Sequence, residues 1–168
     1  MSSLPIGDDF KTIFEAVPGL NLILNPELII VAVTDSYLHA TLTVREEIIG
    51  KHLFEVFPDN PSDPTATGVS NLRTSLETVL QTKRPHTMAL QRYDIKVHDD
   101  EDSFEVRYWS PINSPVLNAD GEVRWIVHRV EDVTEFVLAT ELAGQEKEAS
   151  RQLANRANEL EQELIKRA

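Results

Sequence analysis

Apolar residues first recur with helical spacing in "DDFKTIFEAVPG", where Phe10, Ile13, Phe14 and Val17 fall on one side. That spacing predicts a short amphipathic helix, stopped by Pro18-Gly19. "LNLILN" and "LIIVAVTD" then read as two strands, and Pro26-Glu27 between them is short enough for a hairpin turn. Two short helical pieces are expected next. Asp35 is placed to cap "SYLHATL", and Thr43 with Glu46 has the Ser/Thr-x-x-Glu spacing of a capping box ahead of "VREEIIG". "HLFEVFPDNPSDPTATG" carries too much proline for regular structure and reads as a crossing loop. In "VSNLRTSLETVLQTKR", Val69, Leu72, Leu76, Val79 and Leu80 share one face, which predicts an amphipathic helix ended by Pro85.

Three strands follow: "HTMALQRYDIKV", "SFEVRYWSPINSPVL" and "EVRWIVHRVED". The first two are joined by an acidic loop and the last two by the turn signal "NADG". Hairpins with helices grouped between them indicate an α+β domain with one five-stranded antiparallel sheet and flanking helices. If Val97 faces Phe104, then Lys96 faces Glu105, Asp94 faces Arg107 and Arg92 faces Trp109. The arginines would then form a cross-strand ladder on the exposed face, and Tyr93, Ile95, Val97, Phe104, Val106 and Tyr108 would lie on the other.

In "RWIVHRVEDVTEFV" the alternation ends at Asp132, and a charged, helix-favouring tail begins. Thr134, followed by Glu135, is expected to cap the outgoing helix, so that the sheet hands over to it without a loop. From Glu135 the tail runs to Ala168 without proline and with Gly144 as its only glycine. Fully helical, residues 135–168 would extend about 50 Å. A polar helix of that length needs a partner. Leu153, Ala157, Leu160 and Leu164 recur at 4-3-4 spacing, a coiled-coil seam that suggests a parallel dimer. The pattern stops in mid-helix at "ELIKRA", as expected of a fragment of a longer protein.

Composition narrows the chemistry. The net charge is −12, from 28 acidic and 16 basic residues. An acidic surface without a basic cluster repels nucleic acid and anionic membranes. The acidic run "HDDEDSFE" reads as a solvated loop rather than a metal site. There is no cysteine, which excludes disulfides, thiolate metal sites and cysteine nucleophiles. No signal peptide and no bilayer-spanning run is present, so a cytoplasmic location is expected. No spacing suggests a triad, a metal site, paired carboxylates or a nucleotide-binding glycine loop, and an enzyme is not expected.

The order of elements and "VEDVTE", with the Asp-x-Thr motif Asp132-Val133-Thr134, resembles a PAS domain. "IFEAVPGLNLIL", "EEIIGKHLFEVFPDNP", "RYDI", "RYWSPINSPVL" and "HRVEDVTEFV" look like PAS domains of bacterial sensor histidine kinases and response-regulator-type proteins. The likeness covers roughly residues 8–137. It divides the chain into an N-terminal extension (1–7), a PAS domain (8–134) and a signalling helix (135–168).

The resemblance implies a sheet whose inner face encloses a core able to hold a small ligand, and output through the C-terminal helix. By comparison with PAS strands His128 should point inward beside Ile126 and Val130, and Tyr37, Tyr93 and Tyr108 could add polar groups to the same interior. Light-driven flavin adduct formation requires a cysteine, which is absent. Haem is not expected, because the long helix lacks histidine and His86 lies beyond Pro85. No cofactor or metal is therefore predicted. The expected role is a sensor or relay module and homodimer, passing a conformational signal through the Asp132/Thr134 junction to an output domain, foremost a histidine kinase of a two-component system. Alternatives are a purely structural dimerisation module without ligand, or the PAS module of a cyclic-dinucleotide synthase or other regulator.

Overall fold

The computed structural model describes residues 9–97 and 103–167, the side chains of Leu164 and Arg167 excepted. The extension 1–7 and most of the acidic run therefore lie outside the described residues. The chain divides into two compact units, Met1–Val133 and Thr134–Ala168.

In the first unit, α1 (Phe10–Ala16) precedes a hairpin of β1 (Leu20–Leu24) and β2 (Ile30–Val33). Three short helices follow: α2 (Asp35–Thr41), α3 (Arg45–Ile48) and α4 (Leu53–Val56). Then come the long helix α5 (Gly68–Thr82), short strands β3 (His86–Thr87), β4 (Gln91–Arg92), β5 (Ile95–Lys96) and β6 (Phe104–Glu105), and the long pair β7 (Tyr108–Leu117) and β8 (Val123–Asp132). The main sheet is antiparallel, in the order β2-β1-β8-β7-β3, with β4 also on β7. The predicted antiparallel α+β arrangement is thus present, with its third strand broken into β3, β4 and β5 and its fourth into β6 and β7; β5 and β6 pair with each other apart from the main sheet. The break between β3 and β4 falls opposite Pro111, which has no N–H to give the ladder; its carbonyl accepts from the Met88 N–H at 3.0 Å.

The core lies between the inner face of this sheet and the helices. Leu22, Leu24, Ile30, Val33, Leu53, Leu76, Val79 and Ile126 are fully or almost fully buried. Helix α5 delivers Leu72, Leu76 and Val79 to it, as its spacing predicts, with Ser75 buried on the same side. Helix α1 forms, but none of its residues is buried and Phe10 is 64% exposed.

Several local expectations are corrected. The cap of α2 is Thr34, not Asp35: Thr34 Oγ1 accepts from the Tyr37 N–H at 3.4 Å, while Asp35 is the first helical residue. The Thr43–Glu46 capping box does not form. Val44 holds the N-cap position of α3, and the Thr43 hydroxyl lies 2.9 Å from that of Thr41. Helix α4 arises inside the stretch read as loop, because the prolines begin only at Pro58 and His52 Nδ1 caps the helix by accepting from the Phe54 N–H at 3.2 Å.

The hairpin ending in β7 is shifted by one residue from the expected pairing. Gln91 faces Trp109, Arg92 faces Tyr108 and Ile95 faces Glu105. A one-residue slip sends each side chain of a strand to the opposite face. Trp109 is therefore buried, and its Nε1–H donates to the Tyr93 carbonyl at 2.8 Å. The expected Asp94–Arg107 and Lys96–Glu105 pairs are replaced. Arg92 pairs with Asp94 along its own strand at 3.1 Å, and Arg107 with Glu105 at 2.9 Å and Asp132 at 2.7 Å.

The second unit is one helix, α6 (Thr134–Arg167), of 34 residues. Its start differs in detail from the expected cap, since Thr134 is already helical and Val133 is the single residue between β8 and α6.

Candidate functional site

Strand register builds a polar row across the inner face of the sheet. On β7, Asn113 stands between His86 of β3 and His128 of β8. His128 Nδ1 lies 2.7 Å from Asn113 Oδ1, and Asn113 Nδ2 donates to Ser75 Oγ of α5 at 2.8 Å. Ser75 Oγ in turn lies 2.7 Å from His86 Nδ1. The Met88 sulfur, a weak acceptor 3.6 Å from Asn113 Nδ2, favours this amide orientation. An Asn113 carbonyl oxygen facing His128 requires the proton on Nδ1, which leaves Nε2 with its lone pair. Burial holds His128 neutral by pushing its pKa down to about 4.

Beside this row lies a cavity of about 50 Å³. Tyr37, Phe57, Leu72, Tyr93, Trp109 and His128 are among its walls. Tyr37 comes from the first turn of α2, which Thr34 ties to β1: the Thr34 hydroxyl donates to the Gly19 carbonyl at 2.9 Å and accepts from the Asn21 N–H at 3.2 Å. The Tyr37 ring packs edge-on against Phe57 and His128, at centroid separations of 6.0 and 6.2 Å. Tyr93 donates its hydroxyl to the Phe57 carbonyl. Its ring fits only because position 68 is glycine, where an added Cβ would come within 2.4 Å of it. Burial pushes both phenols above their ordinary range, with Asp59 and Tyr37 adding to the effect at Tyr93.

Of the residues singled out in sequence, the fold brings Tyr37, Tyr93 and His128 together on the cavity wall. Ile126 is fully buried but is not part of that wall, and neither is the half-buried Tyr108. The register slip turns Trp109 inward in place of Tyr108, whose carbonyl accepts from the Val133 N–H at 2.9 Å. The sequence pattern placed Trp109 on the exposed face and gave no role to Asn113 or Ser75. The available signal was polar Asn113 two positions from Pro111 and four from Trp109, the parity of one strand face.

Strand β8 links cavity and helix along the chain. His128 and Val130 line the cavity, and Asp132 ends the strand, its carboxylate 2.7 Å from Arg107. On α6, Leu153 and Leu160 are 73% and 46% exposed, and Ala157 is exposed; the Leu164 side chain is outside the described residues. Among the described residues no group of three or more His, Asp or Glu is placed to hold a metal ion, and no helix is long and apolar enough to cross a membrane.

This architecture is that of an α+β domain whose antiparallel sheet and flanking helices enclose a small cavity. Residues 14–138 match the family model described as the PAS fold. The chain belongs to this family. Solved structures agree in fold. The PAS domain of a Colwellia psychrerythraea protein has a TM-score of 0.59 at 12% identity, covering 77% of this chain and 98% of its own. The BvgS PAS domain of Bordetella pertussis gives 0.54 at 18%, covering 84% and 96%. A sensory box sensor histidine kinase from Vibrio cholerae gives 0.50 at 19%, covering 73% and 87%. Among curated proteins no relative matches.

Proposed function

We propose that this PAS domain is a non-catalytic relay and dimerisation module that passes a conformational signal through α6 to an output domain, foremost a histidine kinase of a bacterial two-component system in the cytoplasm. The observation that carries this reading is the single strand β8. It supplies His128 and Val130 to the cavity wall and, after Asp132 and one further residue, becomes α6. His128 and Asp132 are four residue steps apart along the strand, about 13 Å. A change in the cavity that shifts β8 acts on the first turn of the helix with no loop to absorb it. A ligand or partner with different affinities for two arrangements of the helix pair would set the output. No resident cofactor is part of this reading.

The cavity is well below the roughly 300 Å³ at which ordinary small-molecule sites begin, which favours a second reading, a structural dimerisation module with no ligand.

Coupling at the junction can be measured on this chain. The sequence has no cysteine, so Asn158→Cys on α6 gives a unique spin-label position. Pulsed dipolar spectroscopy is expected to show one inter-label distance distribution from the dimer, and Asp132→Ala to shift it while the thermal melt is retained. The Arg107–Asp132 pair it removes is partly solvated and contributes little to stability. Absence of dipolar coupling would refute the dimer; an unchanged distribution in Asp132→Ala would refute the junction's role.

A further inference from the structure

The cavity beside His128 has a definite hydrogen-bonding character, set by the polar groups on its wall. Thr41 Oγ1 donates to the Tyr37 carbonyl at 2.8 Å. Gln91 Nε2 donates to the Ala89 carbonyl at 2.9 Å, and its Oε1 accepts from Asn71 at 2.7 Å. The Tyr93 hydroxyl is bound to the Phe57 carbonyl and Trp109 Nε1 to the Tyr93 carbonyl. Two groups remain. Among the described residues the Tyr37 hydroxyl and His128 Nε2 have no hydrogen-bond partner, although Tyr37 is 5% and His128 3% exposed. Neither atom is sealed off, since the fully buried side-chain atoms without a hydrogen-bond partner among the described residues are Arg45 Nε and Arg107 Nε, and a polar atom with accessible surface on a cavity wall is open to a bound molecule or water.

Their chemistry is fixed by their surroundings. Tyr37 offers an O–H donor. His128 offers a lone pair, because the Asn113–Ser75–His86 row keeps its proton on Nδ1. Among the described residues no Asp, Glu, Lys or Arg lines the cavity, so a charged occupant would lose its hydration without gaining a counter-charge. The remaining wall is largely apolar, with Leu53, Leu72, Ile95 and Val130 on it. At about 50 Å³ the cavity has a third of the ~150 Å³ known to admit benzene, room for about two or three heavy atoms.

We propose that this cavity is a binding site for a small uncharged hydroxylic molecule, whose oxygen accepts from Tyr37 and donates to His128 Nε2 while a one- or two-carbon body rests on the apolar wall. Asn113 and Ser75 are positioning residues that hold the histidine tautomer. The assignment deepens the sensory reading by naming the ligand class of the same cavity.

The test is an NMR titration of the full chain with ethanol, and with formate and methylammonium as charged counterparts of similar size. Ethanol is expected to give saturable shifts of the amides around Tyr37 and His128. Tyr37→Phe, which keeps the ring and removes the donor, should weaken binding at least tenfold, and Asn113→Leu should weaken it in the same direction. The charged probes should give no saturable shift. Absence of saturable ethanol shifts, meaning a cavity filled by water alone, would overturn the proposal, as would equal binding by Tyr37→Phe or by formate. The outcome separates from that at the junction: ethanol binding with no effect of Asp132→Ala leaves the site standing without the relay, and the converse leaves the relay without this ligand.

Discussion

His128 shows how a single residue couples the core to solution conditions. In the folded chain burial lowers its pKa to about 4, against an ordinary histidine value of about 6.5. Between those values the unfolded chain binds a proton that the folded chain does not. Stability therefore rises with pH through this window and falls as the solution is acidified below about 6.5. The full shift corresponds to on the order of 3 kcal/mol. Among the described residues no charged one lines the cavity beside it, and its near neighbours are the neutral Asn113 and Tyr37. Urea melts of wild type and His128→Gln between pH 4 and 7 should therefore diverge, with the wild type losing more stability on acidification. Parallel curves would show that His128 is not the titrating group. The inward direction of His128 followed from the resemblance to PAS strands, and the burial of Ile126, His128 and Val130 on β8 agrees with it. Its partner was not, because the Asn113 contact depends on how β7 is registered against β8, which no local pattern specifies.

Elements formed where local chemistry was strong, and departed from expectation where two local signals competed. Helix α5 follows its apolar periodicity closely, and on β8 Ile126 and Val130 are buried on one face with His128 between them. Asp35 was the expected cap of α2, and the structure uses its neighbour Thr34, whose hydroxyl also meets β1. Asp35 instead pairs with Arg45 at 2.6 Å. Pattern alone also could not choose between the two registers of the hairpin ending in β7. Burying Trp109 and bonding its indole N–H to the Tyr93 carbonyl decides it. The Thr34 hydroxyl ties α2 to the β1–β2 hairpin by accepting from the N–H groups of Tyr37 and Asn21 and donating to the carbonyl of Gly19, with that of Asn21 at 3.3 Å. Thr34→Val keeps the shape of this fully buried side chain and removes these bonds. Loss of a cap together with buried hydrogen bonds is expected to lower stability by about 2 kcal/mol. The midpoint of urea unfolding should drop with an unchanged slope. A variant as stable as wild type would show that α2 is held by apolar packing alone.

For the whole molecule, α6 is the unit whose sequence and structure agree most simply, because its 34 residues follow from local propensity and lack of proline. Propensity does not account for the exposed Leu142, Leu153 and Leu160. Polar neighbours on the same helix pair among themselves, as Arg151 does with Glu148 and Arg156 with Glu159, and such exposed pairs add only a few tenths of a kcal/mol each. A helix supported by so little frays in water unless its apolar stripe is covered, and the proposed cover is the same stripe of a second copy. Leu153→Glu combined with Leu160→Glu tests this without lowering helix propensity, since Glu is nearly as good a helix former as Leu. Facing copies would then place like charges in the seam. Sedimentation equilibrium should convert from dimer to monomer, and the circular dichroism at 222 nm should lose amplitude as α6 frays. The near-ultraviolet signal should stay, because Trp109 and Trp125, the two tryptophans of the chain, both belong to the first unit. If the double variant sediments as the wild type does and keeps its helix signal, α6 is neither the dimer contact nor dependent on one, and the relay would have to leave the domain by another surface.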